Sequence, residues 1–179
     1  PQTAYRPLCP PPGSLQPLLP QPSPIRAGDA EAGLLRKSAR LIITRFGVVL
    51  SPEGGAFLQL IRPLQSRLAT VIGSGNQPFT WIALTDLIGA MGFVIDQPGW
   101  SGVFNFVTPE QTTNAAFTAA LARRYHARLT VKLPTVFFRL FYGEGAVLLT
   151  EGQCVKPTRL LEKEFQFQAP TVEAFFKRI

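Results

Sequence analysis

The chain has 179 residues, 46% of them hydrophobic, and a formal charge of +7 from 18 Lys and Arg against 11 Asp and Glu. That is enough apolar material for one packed domain with a tail. The basic residues (Arg36, Lys37, Arg62, Arg123, Lys156 and Arg178 among them) are scattered, so the charge reads as solvated surface and not as a nucleic-acid footprint.

Cys9 and Cys154 are the only cysteines and His126 the only histidine, too few soft ligands for a zinc site. Two distant cysteines fit a reducing compartment, and the expected location is the cytoplasm. Prolines stand where a signal peptide needs an apolar helix. The most apolar run, Leu133 to Leu149, is broken by Pro134, Arg139, Gly143, Glu144 and Gly145, short of the roughly 20 residues a membrane span requires. No metal, membrane or nucleic-acid partner is expected.

Residues 1–28 form a proline-rich arm. Pro1 to Pro24 holds over half of the 17 prolines and one charged residue, Arg6; missing donors and fixed φ predict an extended, disordered segment. From Asp29 the texture changes. Asp29 to Arg40 is a helix candidate. Leu41 to Phe46 is an apolar, β-branched run ending at Gly47, which predicts a buried strand and a tight turn. A loop at Ser51–Gly55 precedes a helix expected over Phe57 to Leu68. A second loop, Gly73 to Pro78, leads to a short strand at Thr80–Ile82. Thr85 and Asp86 are expected to cap a helix through Leu87, Ile88, Met91 and Val94. A strand over Gly102–Val107 ends at Thr108-Pro109, and a helix from about Thr112 carries Phe117, Leu121 and Tyr125. Further helices are expected after Pro134 (Val136, Phe137, Leu140, Phe141), from Pro157, and from a Thr171 cap over Val172 to Lys177. Strands alternating with helices predict an α/β fold.

Chemistry is sparse. Gly73-Ser74-Gly75 starts like a dinucleotide cradle, but Pro78 stands where the third glycine belongs. P-loop and nucleophile-elbow patterns are absent. His126 fits a helix C-terminus better than a general base. Tyr5, Tyr125 and Tyr142 are followed four residues later by Cys9, Leu129 and Ala146, so no Tyr-x-x-x-Lys pair exists to lower a tyrosine pKa.

Four segments in order resemble the epimerase-like branch of the extended short-chain dehydrogenase/reductase family. They are Arg45-Phe46-Gly47-Val48-Val49-Leu50-Ser51-Pro52-Glu53-Gly54-Gly55, then Gly73-Ser74-Gly75-Asn76-Gln77 with Phe79–Ile82 and Asp86-Leu87. Gly102-Val103-Phe104-Asn105 follows with Pro109 and Asn114, and Gly152-Gln153, Val155, Pro157 and Arg159-Leu160 close the set. The last resembles that branch's C-terminal domain of unknown function.

The resemblance runs from about Leu41 to the end and implies an incomplete Rossmann-like sheet edge plus a mixed α/β C-terminal substrate-binding subdomain. It divides the chain into the arm (1–28), a remnant of the Rossmann-type domain (29–132) and a small helical module (133–179). The start without Met and the unlike first 40 residues suit a fragment. The family binds NADP on its N-terminal half, so this chain alone is expected to bind no cofactor and to be inactive. Its expected contribution is pocket wall for a small polar or nucleotide-linked substrate.

Four residues are the candidates for that wall. Arg45 either holds a phosphate or carboxylate or makes a structural salt bridge; Trp81 either lines the pocket or packs in the core; Gln153 and Arg159 face either the cleft or the surface. Asn105 is expected to tie down the Thr108-Pro109 turn. Ala83, Thr85 and Cys154 stand where the family usually has His, Asp and Arg, which weakens the resemblance on the pocket side. The rival reading is a non-catalytic binding module, because a missing half leaves apolar sheet around Leu41 to Val49 open to self-association.

Overall fold

The computed structural model of the chain describes residues 40–134 and 153–179. The proline-rich arm, the first expected helix up to residue 39, and the helix expected after Pro134 lie outside the described residues.

Within them the elements are β1 (Ile42–Phe46), β2 (Val48–Ser51), α1 (Gly55–Ile61), a 3-10 turn (Arg62–Ser66), β3 (Leu68–Ile72), β4 (Trp81–Ala83), α2 (Leu84–Ile95), β5 (Gly102–Phe106), α3 (Asn114–Arg124), β6 (Leu129–Leu133), α4 (Thr158–Glu162) and α5 (Val172–Phe176). The strands form three parallel pairs: β1 with β5, β2 with β4 and β3 with β6. Parallel neighbours cannot be joined by a tight hairpin, so each pair needs a long crossover. The crossovers here carry helices, and the mixed α/β fold follows.

Several expected elements change form. The helix expected over Phe57 to Leu68 stops at Ile61, because Pro63 has no N–H to continue the ladder and the chain tightens into the 3-10 turn. Arg67 then takes a left-handed φ of 57° and Leu68 opens β3, a strand absent from the sequence reading. Thr85 and Asp86 do not cap α2, which begins at Leu84 with Ala83 at the cap position. Strand β1 is not buried as expected: among the described residues it pairs with β5 alone, and Phe46 is 59% exposed.

Strand β4 organises the interior. Successive side chains of a strand point to opposite faces, and β4 is buried on both. Trp81 and Ala83 enter one core with Phe57, Phe117 and Phe175; Ile82 enters a second with Ala90, Val94, Phe104, Phe106 and Leu160. Its partner β2 alternates likewise, Val48 and Leu50 toward the first core and Val49 toward the second. The β2·β4 ladder is thus a shared wall.

Gly47 brings the wall together. A Cβ there would lie 2.4 Å from the Thr80 carbonyl oxygen and 2.9 Å from the Trp81 nitrogen, while Val48 N–H donates to that same oxygen at 2.9 Å.

The C-terminal residues belong to both cores. Phe175 and Phe176 of α5 pack into the first, with Phe175 5.3 Å from Phe57 and 5.5 Å from Trp81 between ring centroids. Leu160, Phe165 and Phe167 pack into the second. The connecting strap is held by side chains from earlier in the chain. Asp86, 1% exposed, accepts N–H bonds from Gln168 (2.7 Å) and Ala169 (2.9 Å). The Thr108 hydroxyl donates to the Ala169 and Pro170 carbonyls.

Substituting Gly47→Ala pushes a methyl group into backbone that cannot move aside, and overpacking of this kind costs about 3 kcal/mol. A fall of that size in urea-unfolding stability is expected; a loss below about 0.5 kcal/mol, the scatter of neutral substitutions, contradicts the wall. Asp86→Ala strands two strap amides and is expected to cost about 3 kcal/mol, with faster hydrogen exchange at Gln168 and Ala169.

Candidate substrate-side site

The C-terminal end of the β1·β5 ladder gathers polar groups. Arg45 is exposed and lies opposite Asn105 in the register. Asn105 Nδ2 donates to the Lys156 carbonyl at 3.3 Å, so it anchors the C-terminal segment and not the Thr108-Pro109 turn. Two residues after Arg45, the close packing of Gly47 on Thr80 continues the surface, and the Thr80 hydroxyl donates to the carbonyl of exposed Gln153. Arg45, Asn105, Lys156, Thr80 and Gln153 therefore form one contiguous rim.

The other two candidates are committed to the scaffold. Trp81 is fully buried, 6.2 Å from Phe117 between centroids, and offers no surface to a ligand; its Nε1 has no partner. Arg159 donates from Nη1 to the Val103 carbonyl at 2.9 Å, and its guanidinium lies 3.8 Å over the Phe104 ring, a cation–π contact that pins α4 to β5.

Beside the rim a shallow depression, open to solvent, is lined by Thr80, Glu110, Gln111, Thr112 and Cys154 among others. The Gln111 Nε2 is buried without a partner. Glu110 accepts the Val172 N–H at 2.6 Å at the start of α5. Burial pushes its carboxyl above the ordinary glutamate value, the bond from Val172 opposes the shift, and the neighbouring Glu173 charge adds to it. The sequence reading missed Glu110, since a carboxylate after a Pro in a loop carries no signal of what it will meet 62 residues later.

Dinucleotide binding finds no cradle among the described residues. Gly75 has φ 79°, and a Cβ there would lie 2.6 Å from Val71 Cγ1 and 2.9 Å from Ala115 Cβ. The glycine is needed for packing against α3. The first amides of α3, which a phosphate would seek, are already taken: Asn114 N–H by the Gln77 carbonyl, Ala115 N–H by Gly75, and Ala116 N–H by the Thr113 hydroxyl. His126 is exposed past the C-terminal end of α3, with a left-handed φ of 53°. Among the described residues no three His, Cys, Asp or Glu gather as a metal site, and no helix is long and apolar enough to cross a membrane.

A parallel ladder with a polar rim at its C-terminal edge, folded under a strap from the chain's end, is the architecture of the C-terminal part of an extended short-chain dehydrogenase. The chain belongs to the epimerase-like branch of that family. Residues 133–179 match a family described as a domain of unknown function, DUF1731. The mouse epimerase family protein SDR39U1 is 36% identical over 152 residues, covering 84% of this chain and 52% of its own length. The epimerase family protein Mb2239 of Mycobacterium bovis is 41% identical over 139 residues, 76% of this chain and 46% of the relative. The crystal structure of human SDR39U1 with NADPH matches at TM-score 0.73 and 34% identity, over 79% of this chain and 48% of that one. A Thermus thermophilus UDP-glucose 4-epimerase shares the fold at TM-score 0.64 and 14% identity, over 84% of this chain and 49% of that one. The chain spans about half the length of the curated relatives it matches.

The raised Glu110 fixes a sign. Its contribution to stability is fully present below the ordinary glutamate value of 4.5 and is lost as pH rises through the higher folded-state value. Glu110→Gln keeps an acceptor and removes the charge. The wild-type chain is therefore expected to lose stability relative to Glu110→Gln between pH 4 and pH 7, read from paired urea titrations across that range.

Proposed function

We propose that this chain is the substrate-side part of an NADP-dependent epimerase or oxidoreductase-like protein acting on a small polar or nucleotide-linked substrate. Arg45 and Gln153 face the substrate, while Trp81 and Arg159 hold the walls behind it. The observation that carries this reading is the position of the rim. Ligands of open α/β sheets bind outside the carboxyl ends of the strands, and Arg45 stands at that end of β1, in register with Asn105. A guanidinium suits a phosphate or carboxylate, which it can hold through two parallel N–H bonds.

By itself the chain is inactive. It carries no Tyr-x-x-x-Lys pair, and the amides at the start of α3 are occupied by the protein's own groups. The same observation favours a second reading, a non-catalytic module that binds a ligand or a partner without transforming it.

Calorimetric titration separates the two. With UDP as the probe, weak binding is expected, reduced about tenfold by Arg45→Ala, equivalent to one bidentate contact of about 1.4 kcal/mol. NADPH titrated into the chain alone is expected to give no saturable heat. Tight NADPH binding contradicts the proposal, and UDP binding indifferent to Arg45 removes the rim from it. Neither ligand binding leaves the partner-binding module.

A further inference from the structure

The positive charge that lies scattered along the sequence gathers in space at the N-terminal end of the β3·β6 ladder. Arg67 immediately precedes β3, and Arg128 immediately precedes β6. The strands are parallel with Leu68 opposite Leu129. The Arg67 carbonyl accepts the N–H groups of Arg128 at 2.8 Å and Leu129 at 3.3 Å, so the two arginines are neighbours.

Three further elements end at the same place. The Asn114 side chain at the start of α3 accepts the Ile72 N–H at 2.9 Å, at the far end of β3. Helix α3 therefore runs back along the strand, and its last turn brings Arg123 and Arg124 to the strand's start. Bonds from His126 N–H to the Arg123 carbonyl and from Ala127 N–H to the Ala122 carbonyl close the turn that leads to Arg128. The Arg124 Nη2 donates to the Ile179 main-chain oxygen at 3.5 Å, which draws the end of α5 and Lys177 alongside. From the other direction the 3-10 turn opens with Arg62 and delivers the chain to Arg67. All of these basic residues are exposed. The segments that supply them, 61–68, 121–133 and 174–179, contain no Asp or Glu.

Helix dipoles account for part of this arrangement. A cation in the last turn of a helix meets the negative end of the dipole, which suits Arg123 and Arg124. The dipole gives no reason for Arg67 and Arg128, which lead into strands, or for Arg62, which opens a 3-10 turn. It gives no reason for the backbone either. Arg67 and His126 hold left-handed φ values of 57° and 53°, a conformation that glycine adopts freely and a side chain does not. Glycine would serve both turns without strain, yet they carry a guanidinium and an imidazole. Strain of this kind collects where a side chain has a task. Guanidinium groups gathered without a carboxylate among them repel one another, and a bound polyanion relieves that repulsion.

We infer that this end of the molecule binds the sugar-phosphate backbone of a nucleic acid without reading its bases. The cations are mostly arginine, and a planar guanidinium holds a phosphate through two parallel N–H bonds. They are spread over the ends of α3, β3 and β6, an array suited to a chain of anions and not to one phosphate in a pocket. An anionic membrane calls for apolar side chains to insert among the basic ones. Of the exposed large hydrophobic residues among those described, only Leu129 lies here. No ring stands ready to stack a base: Tyr125 is half-buried, with the Arg124 guanidinium 5.7 Å from its centroid. The face is remote from the rim, since β3 runs away from it toward Gln77 and Thr80. A bound polynucleotide therefore leaves Arg45 and Gln153 open, and this inference is independent of the substrate proposed above.

The test titrates the full 179-residue chain into a fluorescein-labelled single strand of mixed sequence, about 16 nucleotides long, and follows anisotropy as salt is raised. Binding is expected with a slope of log K against log salt of about −3.5, from about five phosphate contacts at about 0.7 each. RNA and DNA probes are expected to agree within about threefold, because the contacts go to phosphate. Arg67→Glu and Arg128→Glu are each expected to weaken binding about tenfold and to flatten the slope by about 0.7. Arg123→Glu, on the exposed surface of α3, gives the same reading if a variant in the turns folds poorly. Lys163→Glu makes an equal change of charge beside Trp100 and is expected to alter the affinity less than about twofold. No binding overturns the inference, and so does binding that Lys163→Glu weakens as much as Arg67→Glu does, since the net charge then acts as a whole. Polyglutamate that displaces the strand at equal charge overturns it by showing no preference for phosphate. Phosphatidylserine-rich vesicles bound through Arg67 where the strand is not bound overturn it too, and assign the face to a membrane.

Discussion

The contact of Gly47 with the Thr80 carbonyl sets the depth at which strands β2 and β4 meet, and both cores are built on those strands. Because β4 is only three residues long and buried on both faces, Trp81, Ile82 and Ala83 leave little freedom in register. A slip of one residue would send Trp81 into the smaller core and expose the larger. The aromatic packing around Trp81, the seating of α5 and the placement of α2 all depend on that wall.

The same wall explains how the C-terminal residues are held. The strap between α4 and α5 has no ladder of its own, so its amides are satisfied by carboxylates, Asp86 from α2 and Glu110 from the loop after β5. Both are fixed by elements that rest on β4 or β5. Asp86 accepts two of these amides, and Glu110 keeps a net penalty from burial. The tie at Glu110 is thus pH-sensitive, next to the cleft and the rim where Gln153 emerges.

The polar rim and the exposed apolar residues of α2 (Leu84, Ile88, Met91 and Ile95) lie on different parts of the surface. The C-terminal end of the β1·β5 ladder carries polar groups, and the flank of α2 is apolar. That contrast distinguishes this surface from an ordinary solvated one.

The sequence by itself determined the local elements whose causes are local. Gly47 placed a break, Thr171 capped α5 as expected, and the β-branched run before Gly47 became β1, whereas Pro63, which stops α1 at Ile61, went unread as a breaker. The order of family-like segments carried the class. Tertiary structure decided the rest. Strands β3 and β6 were both missed, and they are each other's partner: β6 alternates apolar and polar residues (Leu129, Thr130, Val131, Lys132, Leu133) and was legible in the sequence, whereas β3 does not alternate and shows as a strand only through its pairing. Asp86 looked like a helix cap because a carboxylate beside a helix start commonly is one, but the amides it satisfies lie 82 and 83 residues away. Trp81 and Arg159 carry groups suited to ligands. Only the packing of Phe117 and Phe175 around Trp81, and of Phe104 beneath Arg159, shows that the first is enclosed in the core and the second engaged by the scaffold, because a side chain's surroundings across the fold are fixed by the path of the backbone and not by its neighbours in sequence.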